Sequence, residues 1–147
     1  MVIIIDTREQ RPWSFPLEMA ATKRGTLSAG DYALEGDPLF AIERKSLDDF
    51  VGTISTGWDR FCRELDRMED QGFCPKTVII EGTWMQILNR DHSHPDVNTP
   101  FIRSRIAKLA FRDVHILFAD NPFAAAMMAW GLFNHRLKEL QGVLFDE

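Results

Sequence analysis

Three short runs of β-branched and large apolar residues set the frame for this chain: Val2-Ile3-Ile4-Ile5, Thr77-Val78-Ile79-Ile80 and Val114-His115-Ile116-Leu117-Phe118. Each reads as a buried strand. Between them the apolar period changes. Phe61, Leu65 and Met68 recur at i, i+4 and i+7, which predicts a helix over about Trp58 to Gln71, ended by Gly72. A further helix is predicted from about Pro100 to Arg112. A last one follows an Asp120 or Asn121 cap, has Pro122 at its first position and runs to about Leu140. Strands alternating with helices predict an α/β domain, a central mixed β-sheet flanked by helices on both faces.

The segment from Gly30 to Asp49 carries the chemistry. Two apolar runs, Tyr32-Ala33-Leu34 and Leu39-Phe40-Ala41-Ile42, flank Glu35-Gly36-Asp37-Pro38 and predict a β-hairpin. Ser46 is placed to cap a helix whose first turn holds Asp48 and Asp49. Residues two apart in a strand share a face, so Glu43 and Lys45 are expected to project together, with Arg44 opposite. Across the hairpin ladder Asp31 comes near them. Two carboxylates and a lysine on one face suit metal-assisted phosphodiester hydrolysis. Carboxylate oxygens hold a hard cation, and a lysine beside the attacking water offsets developing negative charge.

An acid, a variable gap, then acid-any-lysine is the pattern of PD-(D/E)XK nucleases. The wider context narrows it. Gly30-Asp31, then Glu43-Arg44-Lys45, then Asp49 after three residues resembles the GD…ERKxxxD signature of XPF-type structure-specific endonucleases. The opening "VIIIDTREQRPW" resembles that family's first strand, with Asp6, Arg8 and Glu9 in matching positions. Arg60 and Glu64 lie where the family carries an arginine and a polar residue, and the strand ending Ile80-Glu81 fits as well. The resemblance covers residues 2 to 81 closely and the remainder in outline.

The resemblance implies a restriction-endonuclease-like fold and a DNA endonuclease using Mg²⁺ or Mn²⁺. Asp31 and Glu43 would be its metal ligands, Asp6 a ligand directly or through water, and Lys45 the neighbour of the attacking water. Arg44 is expected to organise contacts behind the site, to Asp49 among others. Family members cut DNA at junctions between double and single strands and leave a 5′-phosphate. They pair through their C-terminal helices, which implies a homodimer here through the apolar last helix (Phe123, Met127, Met128, Trp130, Leu132, Phe133, Leu137). Two alternatives stand beside this reading: a non-catalytic DNA-binding or scaffold domain of the same fold, and a restriction or recombination nuclease of the wider superfamily.

The rest of the sequence bounds these expectations. A length of 147 residues suits one domain, residues 1–147. Only seven residues follow Leu140, too few for the tandem helix-hairpin-helix domain that family enzymes often carry, so targeting is expected to come from the domain itself, a partner protein or a dimer mate. The net charge of −5 argues against a non-specific nucleic-acid coat. A local basic face is nonetheless expected, with Arg8 and Arg60 near the site and Arg105, Lys108 and Arg112 at i, i+3 and i+7 of one helix. The same helix charges also fit an ordinary solvated face. The first apolar run is too short for a signal peptide core or a membrane span, which predicts an intracellular protein, cytoplasmic in a prokaryotic or viral setting. Cys62 and Cys74 form no zinc spacing, and Asp91-His92-Ser93-His94-Pro95-Asp96 reads as a polar loop, within a stretch from Arg90 to Pro100 that is expected to be mobile.

Overall fold

The β-branched runs become strands β1 (Val2–Asp6), β5 (Lys76–Glu81) and β6 (Val114–Ala119) in a computed structural model that describes residues 1–142. The predicted hairpin supplies β3 (Tyr32–Leu34) and β4 (Ala41–Ser46). One strand was not foreseen, β2 (Ala21–Gly25). Its side chains are nearly all exposed, so it has no apolar period to read; it holds the sheet's edge through backbone pairing with β1. The sheet order is β2-β1-β3-β4-β5-β6. β1/β2, β4/β5 and β5/β6 pair in parallel, and β3 runs antiparallel to both β1 and β4, so the sheet is mixed as expected.

The helices are α1 (Leu47–Ile54), α2 (Trp58–Gln71), α3 (Trp84–Leu88), α4 (Thr99–Ala110) and α5 (Pro122–Leu140). α2 has the predicted bounds, and Gly72 closes it at φ 94°, a left-handed conformation that glycine adopts without strain. Ser46 caps α1 by accepting the Asp49 N–H, and Asn121, not Asp120, caps α5 by accepting that of Ala124. The short α3 escaped sequence reading. It is a single turn fixed by a Thr83–Gln86 capping box rather than by any apolar stripe.

Two apolar layers sandwich the sheet. On one face α5 buries Ala125, Ala126, Ala129 and Phe133 against Ile3, Ile5, Tyr32, Ile42 and Ile79. On the other, α1, α2 and α4 contribute Phe50, Val51, Ile54, Phe61, Leu65, Ile102 and Leu109 against Val78 and Ile80. Strand alternation accounts for the sorting: Ile79 faces α5, while its neighbours Val78 and Ile80 face α1 and α2. Arg136 of α5 forks onto Asp37 in the β3–β4 turn at 2.7 and 3.1 Å, which ties α5 to the hairpin. Among the described residues no helix is long and apolar enough to cross a membrane.

Candidate active site

Asp31 sits between two strands at the mouth of the hairpin. Its N–H donates to the Ile42 carbonyl at 2.9 Å, its carbonyl accepts the Asp6 N–H at 2.9 Å, and its carboxylate accepts the Arg44 N–H at 2.7 Å. The glycine before it makes this possible. Gly30 has φ +74°, and a Cβ there would lie 2.7 Å from the Ala41 Cβ, so only glycine lets the chain approach β4 this closely. The Gly-Asp pair of the sequence pattern therefore has a steric cause.

On β4 the expected alternation is observed. Lys45 Nζ lies 3.5 Å from Glu43 Oε1, and both line a groove of about 530 Å³. The opposite wall comes from α1, the α1–α2 turn and the start of α2, with Asp48, Asp49, Arg60 and Glu64 among its residues. Burial pushes the Glu43 carboxyl up to about 7, and the nearby Asp31 charge adds to the rise. Burial likewise lifts Asp31 to about 6, against the lowering effect of the Arg44 N–H, with Glu9 adding to the rise. Two carboxylates thus face each other with unfavourable charge, a condition that a bound cation relieves.

Among the described residues no group of three or more His, Cys, Asp or Glu is arranged to hold a metal ion by itself. Asp31 and Glu43 form a set of two carboxylates. That set fits Mg²⁺, which takes one or two carboxylates and keeps several of its waters. Asp6, only 1% exposed, stands differently. One of its oxygens accepts from Arg8 Nε at 2.7 Å and the other from the Leu27 N–H at 3.1 Å. Burial alone would raise its pKa, but these partners outweigh it and hold the carboxylate ionised. In this arrangement Asp6 orients Arg8 from behind the pair.

Arg44 departs from expectation in its partners. It points to the α5 face, whereas Asp49 lies on α1 across the sheet, so the expected Arg44–Asp49 contact does not form. Instead the guanidinium binds Glu81 and Glu9 (3.2 Å to the latter), reaches the Arg11 carbonyl at 2.5 Å and lies 5.2 Å from the centre of the Trp13 ring. Trp13 stacks on Tyr32 at 4.4 Å and donates its indole N–H to Glu81 at 2.9 Å, while the Tyr32 hydroxyl donates to Glu9 at 2.8 Å. This cluster pins the loop after β1 to β4 and β5, directly behind the groove. Asp49 itself lines the groove from the first turn of α1.

The five basic residues do not share one surface. Arg60 lines the groove, and Arg8 is close enough for its charge to respond to Asp31 and Glu43. Arg105 is stacked between Trp58 and Phe101, at 4.1 and 4.7 Å, and Arg112 is ion-paired with Asp66 and Glu69 at 2.7 and 3.1 Å. Lys108 occupies the last turn of α4. Of the predicted stripe, two members are thus engaged within the fold, and Arg112 lies in the turn beyond the end of α4 at Ala110. The 90–98 loop is docked rather than loose: the Ser93 N–H donates to Asp48 at 2.8 Å, and His94 Nε2 lies 3.0 Å from the Asp48 carbonyl, which places His94 in the groove wall.

The ERCC4 domain matches this sequence over residues 5–128. The chain belongs to the ERCC4 domain family. A search of curated proteins finds no match. Among solved structures, XPF from Aeropyrum pernix superposes with a TM-score of 0.71 at 17% identity, covering 100% of this chain and 66% of that one. XPF from Aeropyrum pernix in complex with DNA gives a TM-score of 0.69 at 18% identity, covering 94% of this chain and again 66% of the other. The chain thus spans just under two thirds of the length of the structures it matches, and at such identities the likeness shows the fold. The XPF-type nuclease fold expected from the sequence is the one observed, and ERCC4 domains are a nuclease family. Sequence reading missed Asp48 and His94 as groove residues, and Glu9 and Glu81 as partners of Arg44. The strand-end position of Glu81 and the offset of Glu9 from Asp6 were the available signals.

Proposed function

We propose that this ERCC4 domain is a metal-dependent DNA endonuclease that hydrolyses phosphodiester bonds at branched, flap or junction DNA. The observation that supports it is the pairing on one groove face of Glu43 and Lys45, 3.5 Å apart, with Asp31 held across from them by β4's own backbone. The solved XPF structure in complex with DNA supports nucleic acid as the ligand of this fold.

Asp31 and Glu43 would hold the cation, Mg²⁺ or Mn²⁺. When bound, such a cation polarises the phosphoryl group and lowers the pKa of a coordinated water. Lys45 Nζ orients the attacking water and offsets charge developing on the phosphoryl oxygens. Arg8, braced by Asp6, and Arg60, on the groove wall, bind the phosphates on either side of the scissile bond. Arg44 holds the loop after β1 in place and touches no substrate.

Homodimerisation through α5 belongs to the same proposal. α5 leaves Phe123 71% and Met128 42% exposed, apolar surface that a second copy would cover. A dimer mate or a partner protein would then share in targeting the DNA.

The test is cleavage of labelled duplex, splayed-arm, 3′-flap and single-stranded DNA with Mg²⁺, Mn²⁺ or EDTA. The expected result is metal-dependent cutting, strongest on branched substrates, leaving a 5′-phosphate. DNA binding with no cutting on any substrate would contradict the enzymatic reading and favour the scaffold alternative.

A further inference from the structure

α2 carries arginines at 60, 63 and 67, the i, i+3 and i+7 positions of one helix face, and all three are exposed. Of its acids, Asp66 and Glu69 are taken by cations of other elements, while Asp59, Glu64 and Asp70 remain on the helix with the arginines. Asp66 and Glu69 pair with Arg112, and Glu69 also pairs with the buried Lys76 at 3.3 Å. Among the described residues none of Arg60, Arg63 and Arg67 has an acidic partner. In a chain of net charge −5, this sets three exposed arginines without an acidic partner along one helix face.

The stripe is continuous with the site. Arg60 lines the catalytic groove with Glu43 and Lys45, and it also lines a neighbouring depression of about 550 Å³ together with Arg63, Asp66 and Arg67. We propose that Arg60, Arg63 and Arg67 form a track for the phosphates of one DNA strand, leading out of the groove along α2. Seven residues of helix span about 10 Å. One DNA strand carries a phosphate every ~3.4 Å of axis. Laid along the duplex axis, the track would take about three consecutive phosphates. Asp70, three residues beyond Arg67, places an exposed negative charge at its far end and stops it there. Contacts of this kind set register on the backbone without reading sequence, as a structure-selective enzyme requires.

The inference rests on the DNA reading above and locates it on α2 rather than α4. The experiment measures binding of fluorescent splayed-arm DNA by the Asp31→Asn protein at 50 to 200 mM salt. It is repeated with Arg63→Ala/Arg67→Ala, Arg63→Lys/Arg67→Lys and Lys108→Ala added, and melting curves check each fold. The double alanine protein should bind about tenfold or more weakly, with its log–log salt slope reduced by about 2, one for each lost phosphate contact. The double lysine protein should recover the slope, because a point charge serves a phosphate. Native affinity and slope in a folded double alanine protein, while wild type still cuts DNA, would overturn the track alone. A slope change confined to Lys108→Ala would move the DNA to α4 and overturn it too. Failure of the wild-type protein both to bind and to cut would remove the DNA reading and the track together.

Discussion

The Asp31 carboxylate accepts the backbone N–H of Arg44 at 2.7 Å. A side chain proposed to hold the cation is thereby fixed by the peptide that separates Glu43 from Lys45, so the three side chains share one rigid unit. Gly30 permits it. Gly30→Ala would place a Cβ 2.7 Å from that of Ala41 at φ +74°. The left-handed conformation alone costs an alanine about 1 kcal/mol, and relief of the clash would shift Asp31. The variant should melt roughly 4–8 °C lower, for a loss of about 2 kcal/mol, and lose cleavage beyond what its lost stability explains.

The paired carboxylates make a second prediction, in the opposite direction. Asp31 and Glu43 have folded pKa values raised to about 6 and about 7, so in the metal-free protein the folded state holds protons that the unfolded chain has released. Stability should therefore fall as pH rises from about 4 through 7, with the full penalty present at pH 8. Asp31→Asn keeps the acceptor for the Arg44 N–H and removes the charge. In EDTA at pH 8 it should be more stable than wild type by about 1 kcal/mol, or ~2–4 °C in melting temperature, with the gap narrowing toward pH 5. A variant less stable than wild type at pH 8 would contradict the electrostatic account.

Arg44 supplies a third. Its guanidinium is 18% exposed and neutralises Glu9 and Glu81, which are 18% and 15% exposed. Truncation strands two half-buried carboxylates, so Arg44→Ala should cost about 3 kcal/mol in denaturant unfolding. A loss within 0.5 kcal/mol, about the scatter of an ordinary surface change, would show that the Trp13–Tyr32 stack suffices to hold the loop.

How much of this was legible beforehand follows from what each feature depends on. Strand alternation is local, so the common face of Glu43 and Lys45 and the opposite placement of Arg44 could be read from spacing. The Arg44 partners could not, because Glu9 lies in the loop after β1 and Glu81 ends β5, and they meet Arg44 only through the β1-β3-β4-β5 order. The stripe of Arg105, Lys108 and Arg112 was legible as a pattern, but Arg105 is stacked between Trp58 and Phe101, and Arg112, in the turn after α4, is taken by acids of α2, pairings that arise from helix packing. β2 was silent because an exposed edge strand is held by backbone hydrogen bonds, which leave no mark on side-chain composition.

α5 gives a fourth prediction. If Phe123 and Met128 face a second copy, Phe123→Glu/Met128→Glu should sediment as a monomer under conditions where wild type sediments as a dimer, while keeping its helical circular dichroism. Equal sedimentation of the two proteins would rule α5 out as the interface.

The central claim is that the Glu43–Lys45 face performs the chemistry. Single-turnover cleavage of splayed-arm DNA in Mg²⁺ by wild type and Lys45→Ala, with binding measured in parallel, tests it most directly. The account predicts a rate loss of about 10²-fold or more, as for removal of a group that stabilises transition-state charge, with binding within a few-fold of wild type. A Lys45→Ala protein that cuts at the wild-type rate would contradict it.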